Sequence, residues 1–136
     1  MLDTSTLIAY LEGGRQSSAL AAILVDGYIR AGRNSGVVSA VTVMELLVEP
    51  IRHRRTEALR IVQDFVSEFP NVRVAPVDVE VATQAAHVRA YARLDPADAL
   101  IVATGLNAGA RAFVTSDREW SRLATLEDAP RVIDLG

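Results

Sequence analysis

Apolar residues along this chain fall into two alternating patterns: short unbroken runs, and longer stretches with helical spacing. The first run, Met1-Leu2, meets Asp3, then the hydroxyl cluster Thr4-Ser5-Thr6, then a helical pattern through Leu11. That order predicts a buried strand presenting Asp3 at its carboxyl end, followed at once by a helix. Thr4, Ser5 or Thr6 is expected to cap it, since each hydroxyl can accept a bond from a free N–H of the first turn. Gln16 to Ala31 predicts a second helix, and Gly32 to Gly36 a turn. Val37-Val38 reads as a second strand and Ser39 to Val48 as a helix that Pro50 ends or restarts. Arg55 to Phe69 repeats the helical period, and Val72 to Pro76 is a short third strand. Asp78 is placed to cap a helix running to about Leu94, and Asp95-Pro96-Ala97-Asp98 opens another that ends near Asn107 to Gly109. Ala112 to Val114 and Arg131 to Asp134 complete the strands. Helices separate nearly every pair of strands, which predicts a parallel sheet with helices on both faces. In such sheets ligands sit outside the carboxyl ends of the strands, so chemistry is expected beside Asp3.

Composition narrows the classes. A chain of 136 residues suits one domain, residues 1–136, with a single sizeable core. Half of the residues are hydrophobic, yet charges interrupt every long run, and no basic segment followed by an apolar block marks a leader. No membrane association is expected, and the lack of Cys is compatible with a cytoplasmic location. The net charge of −3 argues against a broadly basic nucleic-acid binder. All 14 basic residues are Arg, which excludes Schiff-base chemistry and the Lys of a phosphate-binding P-loop.

Four carboxylates fall at element junctions or in the first turns of helices: Asp3, Glu45, Asp98 and Asp117. If they converge, their repulsion raises some pKa values unless a cation neutralises them. Oxygen donors without Cys or paired His favour Mg²⁺ or Mn²⁺ over zinc. Capping offers a plainer account of each. Asp98 would sit at the third helical position behind Asp95 and Pro96, and Glu45 stands three residues after Thr42, a capping-box spacing.

Four fragments, in this order, resemble the PIN-domain ribonucleases, and among them the toxins of VapBC toxin–antitoxin pairs. They are Leu2-Asp3-Thr4-Ser5-Thr6-Leu7-Ile8, Ser39 to Leu47, Asp98-Ala99-Leu100-Ile101-Val102-Ala103-Thr104, and Val114-Thr115-Ser116-Asp117-Arg118-Glu119-Trp120. The resemblance implies a three-layer α/β/α sandwich around a short central parallel sheet of about five strands. It implies that Asp3, Glu45, Asp98 and Asp117 bind Mg²⁺ (or Mn²⁺), oriented by hydrogen bonds from Thr115 or Ser5. The activity implied is endoribonuclease cleavage by a metal-activated water, leaving a 5′-phosphate. A cognate antitoxin and a homodimer are the implied partners. Trp120 stands where the family usually has Phe, and Gly105 where Ala is common.

The remaining residues carry less. Arg118, beside Asp117, is the candidate for RNA phosphate. Arg52, Arg54 and Arg55 read as a solvated helix junction, His53 and His87 as surface or structural residues, and Trp120 as core. A haloacid-dehalogenase-like phosphatase would need a second Asp where Ser5 stands, and a Lys; a receiver domain also needs that Lys. A PIN-fold binding module without activity is the non-enzymatic alternative.

Overall fold

A computed structural model of the chain describes residues 1–14 and 16–136. The elements follow in the order α1 (Thr4–Glu12), α2 (Gln16–Leu24), β1 (Gly36–Ser39), α3 (Ala40–Arg52), α4 (Thr56–Glu68), β2 (Val72–Ala75), α5 (Val79–Ala92), α6 (Pro96–Asn107), β3 (Ala112–Thr115) and β4 (Arg131–Asp134). β1 pairs with β2 and β3 with β4, all parallel. Leu2 joins the two halves through parallel bridges to Val38 and Val114. Its N–H donates to the Val37 carbonyl at 2.9 Å, while the Asp3 N–H donates to the Val114 carbonyl at 3.1 Å. The sheet therefore reads β2–β1–Leu2–β3–β4, with the first residues of the chain at its centre.

Side-chain alternation along these strands makes two cores. Met1, Val37, Ala75 and Phe113 point to the face covered by α5 and α6, whose Val81, Ala85, Val88, Ile101 and Val102 pack there with Trp120 and Leu123. Leu2, Val38 and Val114 point to the opposite face, where α1 to α4 contribute Leu7, Ala21, Leu46, Val62 and Phe65. A one-residue slip would exchange the two sets, so register is strongly specified. The outcome is the expected three-layer sandwich.

Several local expectations are revised. Asp3 itself caps α1, its Oδ1 accepting from the Thr6 N–H at 2.8 Å, because the strand ends at Leu2 and leaves Asp3 extended. The hydroxyls of Thr4, Ser5 and Thr6 are thereby released for longer-range bonds. Ser39 closes β1 and caps α3 by accepting from the Val41 N–H, so Glu45 lies a turn too late for a capping box. Pro50 neither ends nor restarts α3: it stands in the last turn, where only one helical hydrogen bond is forgone. The second helix loosens into a π-helical turn over Val25–Arg30, and a 3₁₀ segment over Arg118–Thr125 stands where no element was expected. No helix among the described residues is long and apolar enough to cross a membrane.

Candidate active site

The carboxyl edge of the sheet gathers the acids by chain geometry. Asp3 follows the central strand, Asp117 leaves β3 two residues beyond its end, Glu45 rides on the second turn of α3 directly after β1, and Asp98 sits in the first turn of α6. Asp3 is buried, at 3% exposure, and its carboxylate is surrounded by donors. Thr115 Oγ1 donates at 2.7 Å, the Thr6 N–H at 2.8 Å, and Ser5 Oγ lies 2.8 and 3.0 Å from the two oxygens. Burying a carboxylate is costly unless it is hydrogen-bonded in this way. Both supporting hydroxyls reach further. Thr115 Oγ1 accepts from the Asp117 N–H at 2.9 Å, and Ser5 Oγ accepts from the Ser116 N–H at 2.8 Å. The start of α1 and the turn after β3 are thus tied into one unit around Asp3.

Thr4 extends the unit to Glu45, to whose carboxylate its hydroxyl donates; the same oxygen lies 3.3 Å from Thr42 Oγ1. The sequence suggested only a capping use for Thr4. The pattern Asp-Thr-Ser-Thr, with more hydroxyls than one cap requires, was the available signal. Asp98 is held from the other side. Asp95 Oδ1 accepts from the Asp98 N–H at 2.9 Å, as the capping account expected. Burial, then the neighbouring charge of Asp95, push the Asp98 carboxyl up to about 6, with smaller contributions from Asp117 and Asp3. The Trp120 indole opposes this rise: its buried N–H has no partner at hydrogen-bonding distance, yet lies near enough to favour the charged carboxylate. Asp117 also caps a helix, accepting from the Glu119 N–H at 2.9 Å.

Capping therefore accounts for the backbone bonds of Asp3 and Asp117. It does not account for the buried donor shell of Asp3, the Thr4–Glu45 bond, or the electrostatic reach of Asp3 and Asp117 to Asp98. Among the described residues no three carboxylate or imidazole side chains stand close enough to hold one ion together. The chemistry of the set nevertheless fits a hard divalent cation, since every candidate donor is oxygen and negative charge is concentrated beside a half-buried carboxyl. Ser116 Oγ, buried at the same edge, also lacks a hydrogen-bond partner.

The other candidates lie apart from this cluster. Arg118 is exposed immediately after Asp117 and enters none of the ion pairs of the described residues. Arg52 and His53 both pair with Glu49 on the surface of α3, and His87 is exposed on α5. Trp120 is fully buried against Phe113, as core rather than as a stacking platform.

The PIN domain family model matches residues 1–126. No curated protein matches the chain. Among solved structures, DNA-bound VapBC from Salmonella typhimurium is similar at 22% identity and a TM-score of 0.71, covering 100% of this chain and 97% of that one. FitAcB from Neisseria gonorrhoeae is similar at 23% identity and a TM-score of 0.72, covering 98% and 96%. VapBC2 from Rickettsia felis, bound to a DNA fragment from its promoter, is similar at 14% identity and a TM-score of 0.73, again covering 98% and 96%. At these identities the likeness concerns the fold.

Proposed function

The chain belongs to the PIN domain family, and from that premise we propose that it is a metal-dependent endoribonuclease, the toxin of a VapBC-type toxin–antitoxin pair. The observation that carries this reading is the hydrogen-bonded unit at the carboxyl edge, in which Thr115 and Ser5 fix Asp3 and the turn bearing Asp117. Asp3, Glu45, Asp98 and Asp117 would hold Mg²⁺ or Mn²⁺, with Thr4 orienting Glu45. The ion, when bound, supplies Lewis acidity at the phosphoryl oxygen and lowers the pKa of water.

The protein's own groups do the rest. Thr115 and Ser5 hold the Asp3 carboxylate in a single orientation, so that Asp3 keeps its place while the other acids close on an arriving dication. Asp98, with its raised pKa, is the acid most relieved by a positive charge. Arg118 would contact the RNA backbone beside Asp117, where a guanidinium suits phosphate geometry. The toxin–antitoxin complexes among the structural neighbours support an antitoxin protein as the partner, and the family resemblance supports a homodimer.

The test is incubation of the purified protein with total RNA, with Mg²⁺ or with EDTA, followed by sequencing of 5′-phosphate ends. New 5′-phosphate ends are expected only in the presence of metal. Equal cleavage in both tubes, or none in either, would overturn the reading. Arg118→Ala is expected to weaken RNA binding and leave Mg²⁺ binding unchanged; unaltered RNA affinity at low salt would assign Arg118 to the solvated surface.

A further inference from the structure

The amino edge of the sheet, opposite the acids, carries a second distinctive surface. A cavity of about 820 Å³ opens there between α2 with its π-helical turn, the first residues of β1, β3 and β4, and the loop joining α6 to β3, and runs along the sheet face past Val114 and Ile133 to Leu135. Arg33, Arg73, Arg111 and Arg131 line it, and no Asp or Glu does. In a chain with 17 acids and 14 arginines, four cations gathered without one anion depart from an even mixture. Arg73 donates to the Ala108 carbonyl and Arg33 lies over the Tyr28 ring, but Arg111 and Arg131 enter none of the ion pairs of the described residues. The same cavity is bordered by Leu20, Ile23 and Tyr28, large apolar side chains left 45–60% exposed. Large exposed apolar groups collected in one place mark interaction sites.

We propose that this groove docks an extended segment of a partner protein rich in both acidic and aliphatic residues. The arginines supply charge complementarity for carboxylates, which guanidinium binds in bidentate geometry. Leu20 and Ile23 supply the apolar contact, and Arg and Tyr are each enriched at protein interfaces. RNA fits less well. Its backbone offers no aliphatic groups for Leu20 and Ile23, and the one aromatic platform, Tyr28, already lies under Arg33. The arginines of the groove lie at the opposite edge from Asp3 and Asp117, so this inference stands or falls separately from the proposed nuclease activity.

The full chain is panned against a random peptide library displayed on phage, and enriched peptides are synthesised with a fluorescent label. Their binding is measured by anisotropy against the parent, the double variant Arg111→Glu with Arg131→Glu, and Ile23→Asp. Arg111→Gln with Arg131→Gln replaces the charge reversal if that variant melts far below the parent. The expected result is enrichment of peptides carrying both acidic and aliphatic residues, with affinity falling about tenfold or more in each variant and with added salt. RNA cleavage by these variants is expected to remain at the parent rate. No enrichment, enrichment of peptides without acids, or affinity unchanged in the variants would overturn the proposal. So would polyuridine RNA that displaces the peptides and loses binding on the same arginine substitutions.

Discussion

Asp98 carries opposed electrostatic duties, and their magnitudes can be separated. As an acid in the first turn of α6 it interacts favourably with the helix dipole, worth about 0.3–1 kcal/mol. Against that, burial and the charge of Asp95 raise its pKa from 3.8 to about 6. The folded-state value lies above the unfolded one, so the folded protein binds more protons between them and stability falls as pH rises through that window. After discounting for its partial exposure, the loss comes to about 1–2 kcal/mol, larger than the dipole benefit. Denaturant titrations in EDTA are therefore expected to show the parent losing stability from pH 4 to pH 6 and Asp98→Asn losing less. A variant less stable than the parent at pH 7 would make Asp98 a helix-terminal charge and nothing more. Thr115 supports a second prediction. Its hydroxyl both donates to Asp3 and accepts from the Asp117 N–H. Thr115→Val is expected to cost about 1–3 kcal/mol in urea unfolding, since a buried carboxylate loses a donor, and Thr115→Ser much less. Equal losses would point to packing by the methyl group. The acids and Thr115 were legible in the sequence only as edge positions sharpened by a family resemblance. The Thr4–Glu45 bond was not, because it joins residues 41 positions apart and depends on how α3 is set against α1.

At the scale of the element, α6 shows where local propensity and packing disagree. Gly105 lies inside this helix, where Ala would add about 1 kcal/mol of helical preference. A β-carbon there would come 2.5 Å from the Phe113 ring and 2.9 Å from the Met1 side chain, with Phe113 fully buried. Overpacking of that kind costs about 1–3 kcal/mol, so Gly105→Ala is expected to lower the melting temperature despite the better helix former. A higher melting temperature would mean that Phe113 and Met1 can yield. The absence of Ala at this position is thus a packing consequence of Phe113 on the neighbouring strand. Two helices were visible in the sequence to within a few residues, α4 through its strong apolar periodicity and α5 through its Asp78 cap. The 3₁₀ segment after Asp117 was not, because it is held by the Asp117 cap and by burial of Trp120 and Leu123 rather than by a repeating pattern. The central strand also shrank, since Asp3 must leave the extended ladder to cap α1.

For the molecule as a whole, the two ends of the parallel sheet carry opposite character. Acids surround its carboxyl edge, and arginines line the groove at its amino edge. Crossover connections placed both by the same rule: residues leaving strands collect at one edge and residues entering them at the other. The alternation of two cores across the sheet could be anticipated from the apolar runs. The groove could not, because its residues come from five separate stretches of sequence. The central proposal is that Asp3, Glu45, Asp98 and Asp117 close around one divalent cation when it binds. A ligand that binds only the folded state stabilises it by about 2.7 kcal/mol at a hundredfold excess over its dissociation constant, roughly 10 °C for a domain of this size. The direct measurement is a set of thermal melts of the parent, Asp98→Asn and Asp117→Asn, each in EDTA and in excess Mg²⁺. The parent is expected to rise with Mg²⁺ and both variants to rise much less; an equal rise in all three proteins would contradict the shared site.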